Sequence, residues 1–205
     1  MIGPGEIFTL FFVMLGPLKV LGPFAQQTHG LELSAARAIA WRAFVLSLAT
    51  VAIGGWGGAV LAVKWHISIP TMLIATGIVF FLVALRVVLE PYTPSTVERP
   101  PLPAQPVAAA LSLTFPALVT PYGVAALITL LVANEGFARR EVIWGMLLVV
   151  MILNLLAMLY ARSIMHGWPT LVLRLLGAVL GVLQVALAVQ IVLRGLRQAS
   201  LLAAA

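Results

Sequence analysis

The chain has no cysteine, and only 9% of its 205 residues carry charge. Without cysteine there is no disulfide, no thiolate metal ligand and no thiol nucleophile. Histidine is nearly as scarce. His29, His66 and His166 stand too far apart for a helical ligand pair, so no metal site is expected. The six acidic residues all fall at expected helix ends or in loops. No paired carboxylates, Ser/His/Asp set or histidine cluster shares one apolar core, and the chain is therefore read as no enzyme. Its net charge of +6 does not point to nucleic acid, because Lys and Arg are scattered singly apart from Arg139-Arg140. Anionic lipid headgroups at helix ends account for them better. The N-terminus lacks the basic n-region and cleavage site of a signal peptide and carries Glu6, so the first apolar segment is expected to persist.

What the chain has instead is apolar length. Apolar residues make up 62% of it and its mean hydropathy is +1.13, well outside the range of a water-soluble domain. The sequence predicts an all-α, multi-pass membrane protein. A hydrocarbon core about 30 Å thick takes about 20 apolar residues as helix. Six segments are expected, at residues 7–28, 39–63, 70–89, 107–133, 142–160 and 169–193. Ser34 ends the first loop as an N-cap, Lys64, Trp65 and His66 form an interfacial belt, and Pro70 and Pro169 open helices. Residues 91–106 hold Pro91, Pro94, Pro100, Pro101, Pro103 and Pro106, which makes an extended external linker. Residues 134–141 read as a charged loop. Two units follow, residues 1–90 and 107–205, each of three helices.

The first segment is broken by Gly16-Pro17 and Gly22-Pro23, and the fourth by Pro116 and Pro121. Proline removes a donor and clashes with the preceding turn, so each pair leaves backbone groups without intrahelical partners. In hydrocarbon such groups survive only where protein or a wet cavity satisfies them. Freed N–H groups carry partial positive charge and freed carbonyls partial negative charge, a pair of ends suited to a zwitterion or an ion pair. Odd numbers of helices per half place the second half upside down, and residues 77–89 align with 181–193 through Gly77/Gly181, Ala84/Ala188, Val88/Val192 and Leu89/Leu193. This is the inverted-repeat plan of many secondary transporters. Lys64, Arg139, Arg140, Arg194 and Arg197 on one side balance Arg37, Arg86, Arg99 and Arg162 on the other, so charge bias assigns no orientation.

Candidate substrate-binding residues cluster at the breaks: Pro17, Lys19, Gly22, Pro23, Gln26, Gln27 and Thr28 at the first, and Thr114, Pro116, Thr120, Pro121, Tyr122 and Gly123 at the second. A lysine at membrane depth costs about 2.5–3.5 kcal/mol, so Lys19 either faces a cavity, attracting a carboxylate or standing in for a coupling cation, or snorkels to water. Gln26, Gln27 and Thr28 either bind substrate or mark a helix end. Thr114 either lines the site or bonds back to its own helix. N–H groups after Pro23 and Pro121 are expected to hold a carboxylate, and carbonyls before Pro17 and Pro116 an ammonium. Asn154, Gln184 and Gln190 read as interhelical glue, worth about 0.6 kcal/mol each. Gly54 and Gly58, and Gly177 and Gly181, have the spacing of close helix contacts, within the chain or in a homo-oligomer.

These breaks resemble the signatures of the MarC family of six-helix bacterial and archaeal membrane proteins, also described as small neutral amino acid transporters. Gly16, Pro17, Leu18, Phe24 and Thr28 match the first signature, with Lys19 where a glycine is common and Pro23 one place late. Pro116 and Pro121 match the second, with Ser112, Thr120 and Tyr122 in place of a proline and two glycines. The resemblance implies an inner-membrane, transporter-like fold and a glycine- or alanine-class substrate, and the altered glycines imply a narrowed or recharged pocket. The expected partners are a small solute and the lipid bilayer. No cofactor is expected beyond a coupling Na+ or H+. The rivals are a channel or exporter for another solute and a scaffold without substrate.

Overall fold

The computed structural model describes residues 3–89, 110, 111, 113, 114, 118–134, 136–167 and 170–203, and among them there is helix but no strand. Helix α1 spans Pro4–Leu15, α2 Leu18–Gln27, α3 Leu33–Lys64, α4 Ile69–Leu89, α5 Pro121–Ala133, α6 Phe137–Leu159, α7 Ala161–Gly167 and α8 Thr170–Ala203. Five stretches are long and apolar enough to cross a membrane: Pro4–Gln27, taking α1 and α2 together, Leu33–Lys64, Ile69–Leu89, Phe137–Leu159 and Ala178–Ser200. α5 is apolar but only 13 residues long, about two-thirds of a crossing at 1.5 Å per residue. The protein is thus an all-helical, multi-pass membrane protein. The 91–106 linker, Ser112, Pro116 and Pro169 lie outside the described residues.

Three expected boundaries move, each for a local reason. α3 begins at Leu33, with Glu32 rather than Ser34 at the cap position. The Ser34 hydroxyl, already inside the helix, donates to Glu32 Oε2 at 3.3 Å. α6 starts at Phe137, so Arg139 and Arg140 belong to its first turn and not to a loop. They turn back on the end of α5, where Arg139 Nη1 meets Asn134 Oδ1 at 3.1 Å and Arg140 Nε meets the Asn134 carbonyl at 3.2 Å. That places cationic groups at the negative end of a helix. α8 runs on to Ala203, past Arg194 and Arg197, whose exposed side chains do not interrupt it.

The described core has two parts, and each takes one half of each broken segment. Ile7, Phe11, Met14 and Leu15 of α1 join Val119, Tyr122, Ala126 and Leu127 of the α5 region in one, with Phe80, Leu147 and Met151. Val20, Leu21 and Phe24 of α2 join Ala110, Leu113 and Leu118 in the other, with Ala40, Ala43 and Met158. The breaks therefore sit where the two cores meet. Around this centre, exposed Ile53, Val60, Leu82, Val182 and Leu183 present an apolar outer surface, as lipid contact requires.

Glycines set the close approaches. A Cβ on Gly55 or Gly58 of α3 would stand 2.3 Å from Leu127 or Ile128 of α5, and one on Gly54 3.5 Å from Val124. Between α4 and α8 the contact reaches backbone: a Cβ on Gly77 would meet the Val192 side chain at 2.6 Å and its amide nitrogen at 2.9 Å, while one on Gly181 would meet Val88 at 2.9 Å. The Gly54/Gly58 face and Gly181 are filled from within the chain.

Candidate functional site

The first break is made by two residues. Gly16 is extended (φ −74°, ψ 167°) and the Pro17 nitrogen carries no hydrogen, so α1 stops at Leu15 and α2 restarts at Leu18. Gly16 is required here for space, because a Cβ would stand 1.8 Å from the Phe12 carbonyl oxygen. The carbonyls of Val13, Met14 and Leu15 thereby lose the amides of Pro17, Leu18 and Lys19 as partners. Each is taken up by a side chain from elsewhere. Gln184 of α8 donates from Nε2 to the Val13 carbonyl at 3.2 Å. Thr120 donates to the Met14 carbonyl at 3.3 Å, and Lys19 Nζ reaches the same oxygen at 3.4 Å. Asn154 of α6 donates from Nδ2 to the Leu15 carbonyl at 2.6 Å.

The second break faces the first. The Val119 amide donates to the Thr114 carbonyl at 2.8 Å, an i to i+5 turn, and Thr120 then turns extended (φ −98°, ψ 139°) and caps α5, its hydroxyl accepting from the Gly123 amide at 3.2 Å. Pro121 occupies the first turn, where its missing donor does no harm. Gly123 is packed: a Cβ there would stand 2.5 Å from the Leu15 side chain and 2.7 Å from Thr120 Oγ1. The negative end of α1 and the positive end of α5 thus meet head-on at Met14, Leu15, Thr120 and Gly123.

Lys19 bridges the two breaks. Its ammonium donates to Tyr122 Oη as well as to the Met14 carbonyl, and lies 4.7 Å from the centre of the Tyr122 ring. Tyr122 is itself 2% exposed and stacked on Phe80 of α4, with ring centres 4.8 Å apart and planes at 24°. An ammonium has three N–H donors, so these two bonds leave one. Asn154, 1% exposed, is the counterpart: its Nδ2 is spent on Leu15, and its Oδ1 has no partner among the described residues. Among the described residues, one half-buried donor on Lys19 and one buried acceptor on Asn154 therefore remain beside the adjacent carbonyls of Met14 and Leu15.

Of the residues expected at the site, Lys19, Thr120, Tyr122 and Gly123 come together, with half-buried Pro17 and exposed Pro121 flanking them in the chain. Pro23 does not break the chain. It lies inside α2 with its ring exposed, so the downstream half-helix starts after Pro17 and the amides after Pro23 belong to a helix interior. The carbonyls before Pro17 are likewise not vacant for an ammonium, being bonded to the protein's own side chains. Gln26 shares the exposed face of α2, and Gly22 and Gln27 are half-buried. Thr28 ends that helix: its hydroxyl donates to the Phe24 carbonyl at 2.8 Å, and its own carbonyl accepts from Arg162 Nη2 at 3.3 Å. Thr114 bonds back to the Ala110 carbonyl at 2.9 Å, and Pro116 is outside the described residues. Asn154 and Gln184 are interhelical glue as read, placed on the broken end of α1, whereas Gln190 faces outward. An open apolar groove of about 440 Å³ between Trp41, Arg42, Val45, Leu46 and Ala110 includes none of these residues.

A family model described as MarC family integral membrane protein matches residues 5–200, nearly the whole chain. No curated protein and no solved structure matches it.

Proposed function

The chain belongs to the MarC family of integral membrane proteins, and on that premise we propose that it is a secondary carrier of small neutral amino acids, of the glycine and alanine class, in a prokaryotic plasma membrane. The observation that carries the reading is the pairing of one spare ammonium donor on Lys19 with one unpartnered acceptor on Asn154, both at the broken end of α1. A free amino acid presents the complementary pair, a carboxylate for Lys19 and an ammonium for Asn154 Oδ1. Burial between two apolar cores strengthens both contacts relative to water. Tyr122, Phe80 and Leu15 crowd the junction, which favours a substrate with a small side chain.

The alternating-access part of the proposal rests on an inverted repeat of two three-helix units and six crossings. Pro17 and Pro121 are 104 positions apart, as are Gly77 and Gly181, and Val88 and Val192. The close contacts follow the same offset: Gly77 lies against Val192 and Gly181 against Val88. A pair of contacts that exchanges under one shift supports a two-fold relation between the halves, with the breaks on its axis.

The test is uptake of radiolabelled glycine and alanine into proteoliposomes, with unlabelled amino acids as competitors and sodium and proton gradients imposed separately. Saturable uptake with counterflow is the expected result. Lys19→Met and Asn154→Leu each lower uptake at least about tenfold, the loss of one charge-assisted contact. Uptake that never saturates would instead identify a pore, and undiminished uptake in both variants would remove the proposed site.

A further inference from the structure

We propose that the Lys19 ammonium is a tethered cation, standing where a carrier of this design would otherwise hold a free alkali ion, so that the site binds its amino acid without sodium. The inference rests on the carrier reading and concerns the same site. It begins from how the chain treats the negative ends of its helices. The end of α2 is met by Arg162, which donates to the carbonyls of Thr28 and Leu31. The end of α5 is met by Arg139 and Arg140 through Asn134. The end of α1 is met by Lys19. The first two ends lie beside interhelical turns. The third lies where the two cores meet, and there the cation comes on a side chain from the same broken segment.

What surrounds the ammonium is an ion's shell without an ion's countercharge. Its described contacts are the Met14 carbonyl oxygen and the Tyr122 hydroxyl, and Thr120 Oγ1 shares the Met14 carbonyl. Both are neutral oxygens, and the acidic side chains described, Glu6, Glu32 and Glu141, belong to the first turn of α1, the cap of α3 and the second turn of α6. Backbone carbonyls and hydroxyls at a broken helix end are the ligand type that holds Na+ in discontinuous-helix carriers. Here a covalently held positive charge fills that shell, with one N–H left over for a carboxylate. A second cation in the same place would meet like charge at contact distance, so ammonium and sodium exclude one another.

The experiment measures thermal unfolding of the full-length purified protein in sodium chloride, choline chloride and methylammonium chloride at equal ionic strength. The wild-type midpoint is expected to be the same in all three. Lys19→Ala is expected to unfold at lower temperature in choline, and to regain part of the loss in a saturable way with sodium or methylammonium, as ligand linkage requires. Lys19→Met fills the volume without the charge and separates the void from the missing cation, so it should respond less than Lys19→Ala to either ion. A saturable sodium stabilisation of the wild type overturns the proposal, whether or not any variant folds. So does a Lys19→Ala protein as indifferent to both ions as the wild type. Uptake supplies the second readout: wild-type transport equal in sodium and choline, and lost in choline but restored by sodium in Lys19→Ala. If no amino acid is carried at all, the carrier reading fails while the unfolding series still decides whether Lys19 occupies a cation site.

Discussion

At the scale of single residues, Gly16 is the position with least freedom. Its Cβ would fall 1.8 Å from the Phe12 oxygen, a backbone atom that cannot swing away as a side chain would. Gly16→Ala therefore has to lift the last turn of α1, and with it the carbonyls that Gln184, Thr120, Lys19 and Asn154 hold. We expect a loss of about 1–3 kcal/mol of stability, the usual range for overpacking, together with loss of uptake. A thermal melt of Gly16→Ala at the wild-type midpoint would show that the break is softer than its geometry. Part of this site was legible in the sequence. Lys19, Thr120 and Tyr122 all stand where the family signatures favour glycine, and the structure joins all three at the Met14 carbonyl and the Tyr122 hydroxyl. Their mutual contact was not legible, since it links residues 103 positions apart. Asn154 and Gln184 were visible as lone amides in apolar helices, but nothing in the sequence names the carbonyls they serve. Pro23 misled for a local reason: a proline ends a helix only when the chain turns away too, and Gly22 does not turn where Gly16 does.

At the scale of elements, α4 and α8 pack against each other through glycines, and these glycines are not equivalent. Gly77 lies against backbone, the Val192 nitrogen at 2.9 Å and the Ala188 oxygen at 3.0 Å from a built Cβ, whereas Gly181 meets only the tip of Val88. Ala gains roughly 0.5–1 kcal/mol over Gly from helix propensity wherever space allows. Gly181→Ala should accordingly be near neutral, with Val88 changing rotamer. Gly77→Ala should lose about 1–3 kcal/mol, because two helices must separate. Melting both variants checks this, and equal effects would contradict the backbone contact at Gly77. The crossings themselves were legible from apolar length, and the glycine spacing announced close packing, but the helix ends were not. α3 and α6 start earlier than the apolar runs do, because Leu33–Arg37 and Phe137–Glu141 gain helix from amphipathic residues that a hydropathy reading discards.

At the scale of the whole molecule, the absence of cysteine turns topology into a direct measurement. On the proposed plan of six crossings, His29 and Tyr160 fall on one face of the membrane and His66 and Gly136 on the other. All four positions are exposed, and Gly136 has open space around it. One internal contact already ties two of the turns together: Arg162, two residues beyond Tyr160, donates to the carbonyls of Thr28 and Leu31 on either side of His29. The four single-cysteine variants His29→Cys, Tyr160→Cys, His66→Cys and Gly136→Cys should fold as the wild type does, since none touches a core. Labelled in sealed vesicles with a membrane-impermeant thiol reagent, the first pair should react from one side and the second pair only from the other. The decisive variant is Gly136→Cys. α5 is too short to cross alone, so its C-terminal turn lies level with His66 only if the residues before Thr114 complete a fourth crossing. Labelling of Gly136→Cys from the face of His29 would leave five crossings, undo the inverted repeat, and leave the head-on meeting of α1 and α5 as a feature of packing rather than of transport.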